Sequence, residues 1–303
     1  LLSFVNESFT SSLPLDVAGS AAAAYGLRNL SSSYSGNVVE VRRSSDDTTQ
    51  NFTAAEITDG TLLAFVGTGG SDNGFVKTWY DQSGNSNDAA QATAANQPKI
   101  VSAGALVTAT NSLPAIDFTS SLTSLITEEF LTGQLNSYFN TYQAEAGDST
   151  QAQVVFRQGG NYRLLNQVET SGKIRTSIND AGNDIVRLDA GGDLATGSPL
   201  LQTTLIGARG SNGVTLFVNG ANELNGDSTD IEDTDFSAAD SGSFFIGSNG
   251  SSSSYDFHGK GQEFIFYNSN QSDKRRAIEE SIAGHHGITL GSFSRDGFVK
   301  TWY

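Results

Sequence analysis

The segment GFVKTWYDQSGN, residues 74–85, says most about the fold of this protein. Its first seven residues are rich in aromatic and β-branched side chains, which are typical of a β-strand. Because successive residues of a strand face opposite sides of a sheet, Trp79 is expected to share a face with Phe75 and to lie opposite Val76. The last five residues, DQSGN, are typical of a turn. The segment therefore predicts a sheet strand that ends in a tight polar loop.

The first seven residues of this segment, GFVKTWY, occur again at positions 297–303. Each copy holds one of the two tryptophans of the protein. One interpretation is a tandem duplication, in which the second copy begins another module. The other is a donated strand that pairs with an exposed sheet edge of a neighbouring molecule. In that case the residues that mediate assembly would be Phe298, Val299, Trp302 and Tyr303.

Short apolar runs separated by turn residues fill most of the chain. Gly occurs 33 times and Pro only 4 times, and the dipeptides Asn212-Gly213 and Asn219-Gly220 are strong hairpin signals. The runs recur about every 10–12 residues, which favours an antiparallel β-sandwich over a parallel α/β sheet. We therefore expect an all-β fold with a few short helices.

Two segments carry clear helical signals, and residues 62–66 are expected to form a short helix or strand. An Ala-rich segment at 17–30 and an amphipathic segment at 273–283 are predicted as helices. No shift in composition marks an internal domain boundary. The sequence therefore predicts one domain at 15–290, an N-terminal extension at 1–14, and a C-terminal tail at 291–303.

The charge excludes two classes of partner. The formal net charge is −16, whereas nucleic acids and anionic membrane surfaces require basic patches. No run approaches the roughly 20 apolar residues of a membrane-spanning helix. Cys is absent, so the chain forms no disulfide and holds no thiolate. We expect no nucleic acid partner, no membrane insertion, and an acidic surface suited to an extracellular setting.

Several segments together resemble a known family: AAAYGLR at 22–28, SYSG at 33–36, VRRSSDDTT at 41–49, TWYDQSGN at 78–85 with Gln91, and the closing residues 262–288. They resemble the N-terminal half of the catalytic domain of fungal arabinofuranosidase B. The resemblance is closer still to the laminin-G/concanavalin-like modules of phage virion proteins and bacterial surface proteins. It implies a jelly-roll sandwich that is extracellular, on a virion or a cell surface.

The arabinofuranosidase resemblance implies a pair of catalytic carboxylates, about 5–5.5 Å apart in a retaining glycosidase. The family's acid follows an Ile-Gly pair, and here Asn249 stands at about that position. The stretch that would hold the nucleophile, residues 156–162, contains no carboxylate. An amide cannot protonate a leaving group, so Glu169 and Glu263 remain the weak catalytic candidates.

The loop after the first copy of the repeat is a candidate binding site. Asp81 and Asn85 would bind a ligand, or together with Asn87 and Asp88 would supply oxygen ligands to Ca²⁺, the one cofactor that the sequence suggests. The alternative is that Asp81 and Asn85 cap their own backbone turn.

The aromatic pair before this loop has two interpretations. Trp79 and Tyr80 would stack on a sugar ring, or would belong to the core. Together these observations predict a non-enzymatic structural or adhesion module of a virion or bacterial cell surface, with glycan affinity. Its expected partners are further copies of itself or neighbouring surface proteins. A retaining glycoside hydrolase is the alternative.

Overall fold

The computed structural model describes residues 12–128, 130–132, 136–145, 151–158, 161–169, 172–180, 183–189, 197–206, 214–225, 242–248 and 256–291. The helices in this part of the chain are α1 (Pro14–Ala18), α2 (Ala54–Thr58), α3 (Thr61–Val66) and α4 (Arg275–His286). The strands are β1 (Ala23–Gly26), β2 (Asn37–Arg43), β3 (Thr49–Thr53), β4 (Gly74–Trp79), β5 (Ala89–Ala90), β6 (Lys99–Ser102), β7 (Ala105–Leu106), β8 (Ile116–Asp117), β9 (Ser124–Glu128), β10 (Asn136–Ala144), β11 (Gln151–Gln158), β12 (Asn161–Val168), β13 (Ile174–Asp180), β14 (Asn183–Asp189), β15 (Leu200–Ile206), β16 (Val214–Val218), β17 (Ala221–Asn225), β18 (Gly242–Gly247) and β19 (Gly259–Tyr267).

The strands form two antiparallel layers. One layer has the order β1-β19-β10-β15-β16-β17, and the other has the order β3-β2-β4-β5-β9-β18-β11-β12-β13-β14. The short strand β8 pairs with β6 and with β19, so it joins the two layers. The predicted all-β antiparallel sandwich with a few short helices is confirmed.

The main core lies between the layers and is centred on Trp79, which is fully buried. Its indole ring lies 5.8 Å from the ring of Tyr25 and 5.8 Å from that of Phe264, which belongs to the opposite layer. Phe244 and Phe266 make a second cross-layer contact at 4.7 Å. Burial of each such ring contributes about 1.5–3 kcal/mol, so this aromatic cluster is a large part of the core that joins the layers.

Strand β4 departs from the predicted alternation of faces. The pairing with β2 shifts between Glu40 and Val41, which leaves Lys77 as an extra, bulged residue. Val76 and Trp79 therefore both point into the core, although strict alternation would place them on opposite faces. The expectation that Trp79 lies opposite Val76 is wrong because the bulge inserts one residue between them.

The Ala-rich segment predicted as a helix at 17–30 is mostly not helical. Only α1 forms near it, and the segment continues as β1, which pairs with β19. Ala23 and Ala24 are fully buried in this strand. The helix prediction failed because the pairing with β19 outweighs the helix propensity of alanine.

Helix α4 packs on the outer face of the first layer. Ile278 and Ile282 contact a second core cluster that includes Ile265 and Tyr267 of β19. The helix begins at Arg275 and includes two histidines in its last turn, so it lies two to three residues C-terminal of the predicted range. It thereby delivers both histidines to the outer face of β19.

Both ends of the chain lie outside the described residues, which include neither 1–11 nor 292–303. The domain limits at 15 and 290 therefore stay predictions. In the described ranges, no helix is long and apolar enough to cross a membrane.

Replacing Trp79 with Ala tests the central role of this ring. We expect Trp79→Ala to lower the free energy of unfolding by about 3–5 kcal/mol, because it leaves a large cavity between the layers. Urea denaturation monitored by circular dichroism measures the change. The matched control is Trp302→Ala in the second copy of the repeat. If the domain ends near residue 290, we expect Trp302→Ala to have the same free energy of unfolding as the original chain. If Trp302→Ala loses as much stability as Trp79→Ala, the predicted domain end at 290 is wrong.

Candidate functional site

The loop after β4 is fastened to β1 by the Asp81 carboxylate, which is almost fully buried. Its Oδ1 accepts hydrogen bonds from the backbone N–H groups of Ala24 and Ser83, both at 2.8 Å. Its Oδ2 accepts from the N–H of Asn87 at 3.0 Å and from the Ser83 hydroxyl at 2.6 Å. Both carboxylate oxygens are therefore engaged within the protein, as expected for a residue that caps its own turn.

The asparagines of this loop also have protein partners. The side-chain amides of Asn85 and Asn87 donate to the backbone carbonyl of Ala22, at 3.1 and 2.8 Å. Asp88 accepts the backbone N–H of Asp81 at 2.9 Å. Within the described part of the chain, no group of three or more His, Asp or Glu side chains is arranged to hold a metal ion. Asp81 thus joins the loop to β1, and Asn85 and Asn87 join it to Ala22 through their amide nitrogens, while the Ca²⁺ site stays a prediction.

The glutamine of the DQSGN motif holds the backbone that follows β1. The buried Gln82 side chain accepts the N–H of Leu30 at 2.9 Å and donates to the carbonyls of Gly26 and Arg28, at 3.0 and 2.9 Å. It therefore fixes the loop that carries the Arg28 side chain. The sequence reading did not assign this role, and its only local signal is the position of Gln82 within the motif.

The loop positions Arg28 against a buried carboxylate of β19. Arg28 Nε and Nη2 donate to Oε2 and Oε1 of Glu263, at 2.9 and 3.2 Å. Nε2 of His286, in the last turn of α4, lies 3.0 Å from the same Oε2. The side chains of Glu263 and His286 are 1% and 4% exposed, so their contact is shielded from water, whereas the Arg28 side chain is partly exposed.

A bulge in β19 brings a second polar side chain to this place. The pairing of β19 with β10 shifts so that Gly261 and Glu263 face consecutive residues, which leaves Gln262 as the extra residue. Gln262 and Asn111 exchange side-chain amide hydrogen bonds at 3.2 Å. Asn111 also donates to the backbone carbonyl of His286 at 3.1 Å, which ties the end of α4 to this region.

These residues surround a cavity of about 320 Å³ on the outer face of the first layer. Its walls come from the loop after β1, from α2, from β19 and from the end of α4. It is lined by Leu27, Arg28, Asn29, Ala54, Ala55, Thr58, Leu113, Pro114, Gln262, Glu263, His285 and His286.

Burial and neighbouring charges shift the pKa values of Glu263 and His285. Burial alone would raise the pKa of Glu263, but the charge of Arg28 and the hydrogen bonds from His286 and Arg28 outweigh it and lower that pKa to about 2. Loss of hydration and the positive charge of Arg28 lower the pKa of His285 to about 4. At neutral pH, Glu263 is therefore ionised and His285 is uncharged.

The structure does not bring the two candidate catalytic glutamates together. Glu169 lies in the turn between β12 and β13, where it forms an ion pair with Arg175, and it does not line the cavity of Glu263. The family's acid position, Asn249, lies outside the described residues.

The aromatic pair is divided between the core and the surface. Trp79 is fully buried, so it belongs to the core and presents no face to a sugar. Tyr80 is partly exposed, and its hydroxyl donates to the side chain of Asn51 at 2.9 Å. The residues predicted to mediate assembly (Phe298, Val299, Trp302 and Tyr303) lie outside the described part.

The fold and site thus define an antiparallel β-sandwich with an ion-paired cavity on one outer face. Solved structures of arabinofuranosidases share this fold. One is an arabinofuranosidase complexed with arabinofuranosyl-α-1,2-xylobiose, with 19% sequence identity and a TM-score of 0.62 over 92% of this chain. Another is a GH54 α-L-arabinofuranosidase soaked with a cyclic sulfate inhibitor, with 17% identity and a TM-score of 0.61 over 94% of this chain.

The matches cover only 66% and 68% of those two chains. No protein-family model and no curated protein matches the sequence. At these identities the likeness establishes a common fold. The arabinofuranosidase resemblance is therefore supported at the level of architecture, and the laminin-G resemblance stays a prediction.

The low pKa of Glu263 predicts a pH-dependent stability. A carboxylate whose pKa is lower in the folded than in the unfolded state stabilises the fold above the unfolded pKa, and this stabilisation is lost as the pH falls towards the folded pKa. For Glu263 that window runs from its ordinary value of 4.5 down to about 2. We expect a loss of about 3 kcal/mol across the window, measured by urea denaturation at several pH values.

Glu263→Gln should flatten this pH dependence and lower the stability at neutral pH, because Arg28 and His286 lose their partner. Glu280→Gln is the matched control, since Glu280 pairs with Arg276 on the exposed side of α4. An unchanged pH profile in Glu263→Gln would show that other groups govern the acid unfolding.

Proposed function

We propose that this chain is a non-enzymatic glycan-binding module built on an arabinofuranosidase-like sandwich, and that it belongs to an extracellular assembly on a virion or a bacterial cell. The non-enzymatic part of the proposal rests on Glu263, which is ionised and bonded to Arg28 and His286. The observation that supports glycan binding is the arabinofuranosidase fold together with a cavity of about 320 Å³.

The bonding of Glu263 disfavours a catalytic role. A carboxyl group with a pKa of about 2 holds no proton to donate at neutral pH. As a nucleophile it would have to leave the two hydrogen bonds from Arg28 and the contact with His286. Glu263 is also the only acid among the described residues that line the cavity, whereas a retaining glycosidase uses two.

The proposed location has support from the sequence only. A formal net charge of −16 and the absence of Cys suit a surface exposed to salt and oxidants. The repeated heptad at 297–303 suits an assembly of like modules.

A retaining glycoside hydrolase remains the second candidate, because the structures with the same fold are enzymes. Activity would then require carboxylates other than the Glu263 cluster, or a rearrangement that frees Glu263. Glu169 is the second glutamate to test.

One pair of assays separates the two functions. We expect the chain to bind arabinofuranosyl-substituted oligosaccharides on a glycan array and to leave 4-nitrophenyl α-L-arabinofuranoside uncleaved, because no acid is available beside Glu263. Glu263→Gln should weaken the binding, and Glu169→Gln, remote from the cavity, should not. Turnover that either substitution abolishes would contradict the non-enzymatic proposal, and an array without any bound glycan would contradict glycan binding.

Deleting residues 292–303 tests whether the second copy of the repeat is a donated strand. The first copy, β4, already has neighbours on both sides, β2 on one and β5 and β6 on the other. A donated copy therefore needs a free edge, and within the described residues β3 pairs only with β2. Strand donation predicts that the deletion converts oligomers to monomers in light scattering. An unchanged mass would contradict donation and leave tandem duplication as the explanation.

A further inference from the structure

The cavity beside Glu263 has one apolar side and one polar side. Leu27, Leu113 and Pro114 supply an apolar surface, to which α2 adds the methyl groups of two alanines. The opposite side presents Arg28 and the neutral His285. A ligand that fits both sides carries C–H groups on one face and hydrogen-bonding groups on its edge, as a sugar ring does.

The charges within the cavity compensate one another. Glu263 is the only acid and Arg28 the only permanent cation among its described lining residues, and the two are joined by two hydrogen bonds. His285 carries no charge at neutral pH, since its pKa is lowered to about 4. A ligand with its own net charge would therefore meet no unpaired opposite charge, so a neutral ligand is favoured.

His286 leaves a buried nitrogen unsatisfied. Its Nε2 faces Oε2 of the ionised Glu263, which only accepts hydrogen bonds, so Nε2 carries the proton of this contact. Its Nδ1 is buried and has no hydrogen-bond partner in the described part of the chain. An orphaned buried acceptor is costly, and a hydroxyl group is the simplest donor that would satisfy it.

Arg28 has unused hydrogen-bonding capacity as well. Its Nε and Nη2 bind Glu263, and Nη1 makes no hydrogen bond with the described residues. Because Glu263 holds the guanidinium and Gln82 holds the backbone carbonyl of Arg28, the free N–H groups of Arg28 have a fixed direction. A preorganised donor and an unsatisfied acceptor thus belong to the same cavity.

We infer that this cavity binds the terminal residue of a glycan as a single neutral sugar ring, one hydroxyl donating to Nδ1 of His286 and another oxygen accepting from Nη1 of Arg28. A volume of about 320 Å³ lies at the small end of ligand sites and suits one ring rather than a chain. The exposed residues Asn29 and Thr58 at the rim leave room for the remainder of the glycan. This inference rests on the proposed glycan-binding function and names its site and ligand class.

The test uses the full chain labelled with ¹⁵N-histidine, which has only 3 histidines to assign. It is titrated with methyl α-L-arabinofuranoside and methyl β-galactoside as neutral ligands, with methyl glucuronide as an anion, and with methyl glucosaminide as a cation. We expect the neutral glycosides to shift the Nδ1 resonance of His286 and the charged ones to leave it unchanged. Stronger binding of a charged glycoside would overturn the inference. A Nδ1 resonance that does not move with any glycoside would also overturn it, because a trapped water molecule would then satisfy His286.

Two tryptophan variants locate the binding. Ala55 is exposed on α2 and lines the cavity, so Ala55→Trp should fill the cavity without disturbing the core and should abolish binding. Ala64→Trp on α3 is the matched control, because Ala64 is also an exposed helical alanine but does not line the cavity. If Ala55→Trp binds neutral glycosides normally, the chain still binds glycans but through another surface. If the glycan array is also blank, the proposed function itself fails.

Discussion

The burial of Trp79 between the two layers is the constraint on which the rest of the structure depends. The indole reaches the core because β4 carries one extra residue, Lys77, opposite β2. Lys77 and the neighbouring Thr78 both bind the carboxylate of Glu40, so the bulged backbone is stabilised by an ion pair and a hydrogen bond. The loop that follows, DQSGN, reaches β1, where Asp81 binds the backbone N–H of Ala24.

That loop connects the core to the outer face of the first layer through a series of hydrogen bonds. Asp81 holds β1, and Gln82 holds the backbone on both sides of Arg28. Arg28 then compensates the buried charge of Glu263, which a second contact joins to His286 at the end of α4. A buried carboxylate is stable only where such partners are fixed in advance. The motif next to the tryptophan therefore supports a charged site on the far side of the sheet.

The sequence predicted what depends on local pattern. The strand at β4, the turn at DQSGN and the sandwich class all follow from residue types and their spacing. What it missed depends on pairing between distant segments. Nothing near Ala23 indicates that it lies in a strand beside β19, and Arg28 and Glu263 are 235 positions apart. The bulges at Lys77 and Gln262 likewise depend on the partner strands, which a local pattern does not reveal.

The attachment of the last described residue has a mechanical consequence. The N–H of Gly291 donates to the carbonyl of Asn219 at 2.7 Å, and its carbonyl accepts from Arg276 at 3.2 Å. A pulling force applied beyond Gly291 would therefore enter the fold at the turn between β16 and β17 as well as through α4. The load is shared between a hairpin and a helix, so the last turn of α4, which holds His286 beside Glu263, is protected from being unwound first.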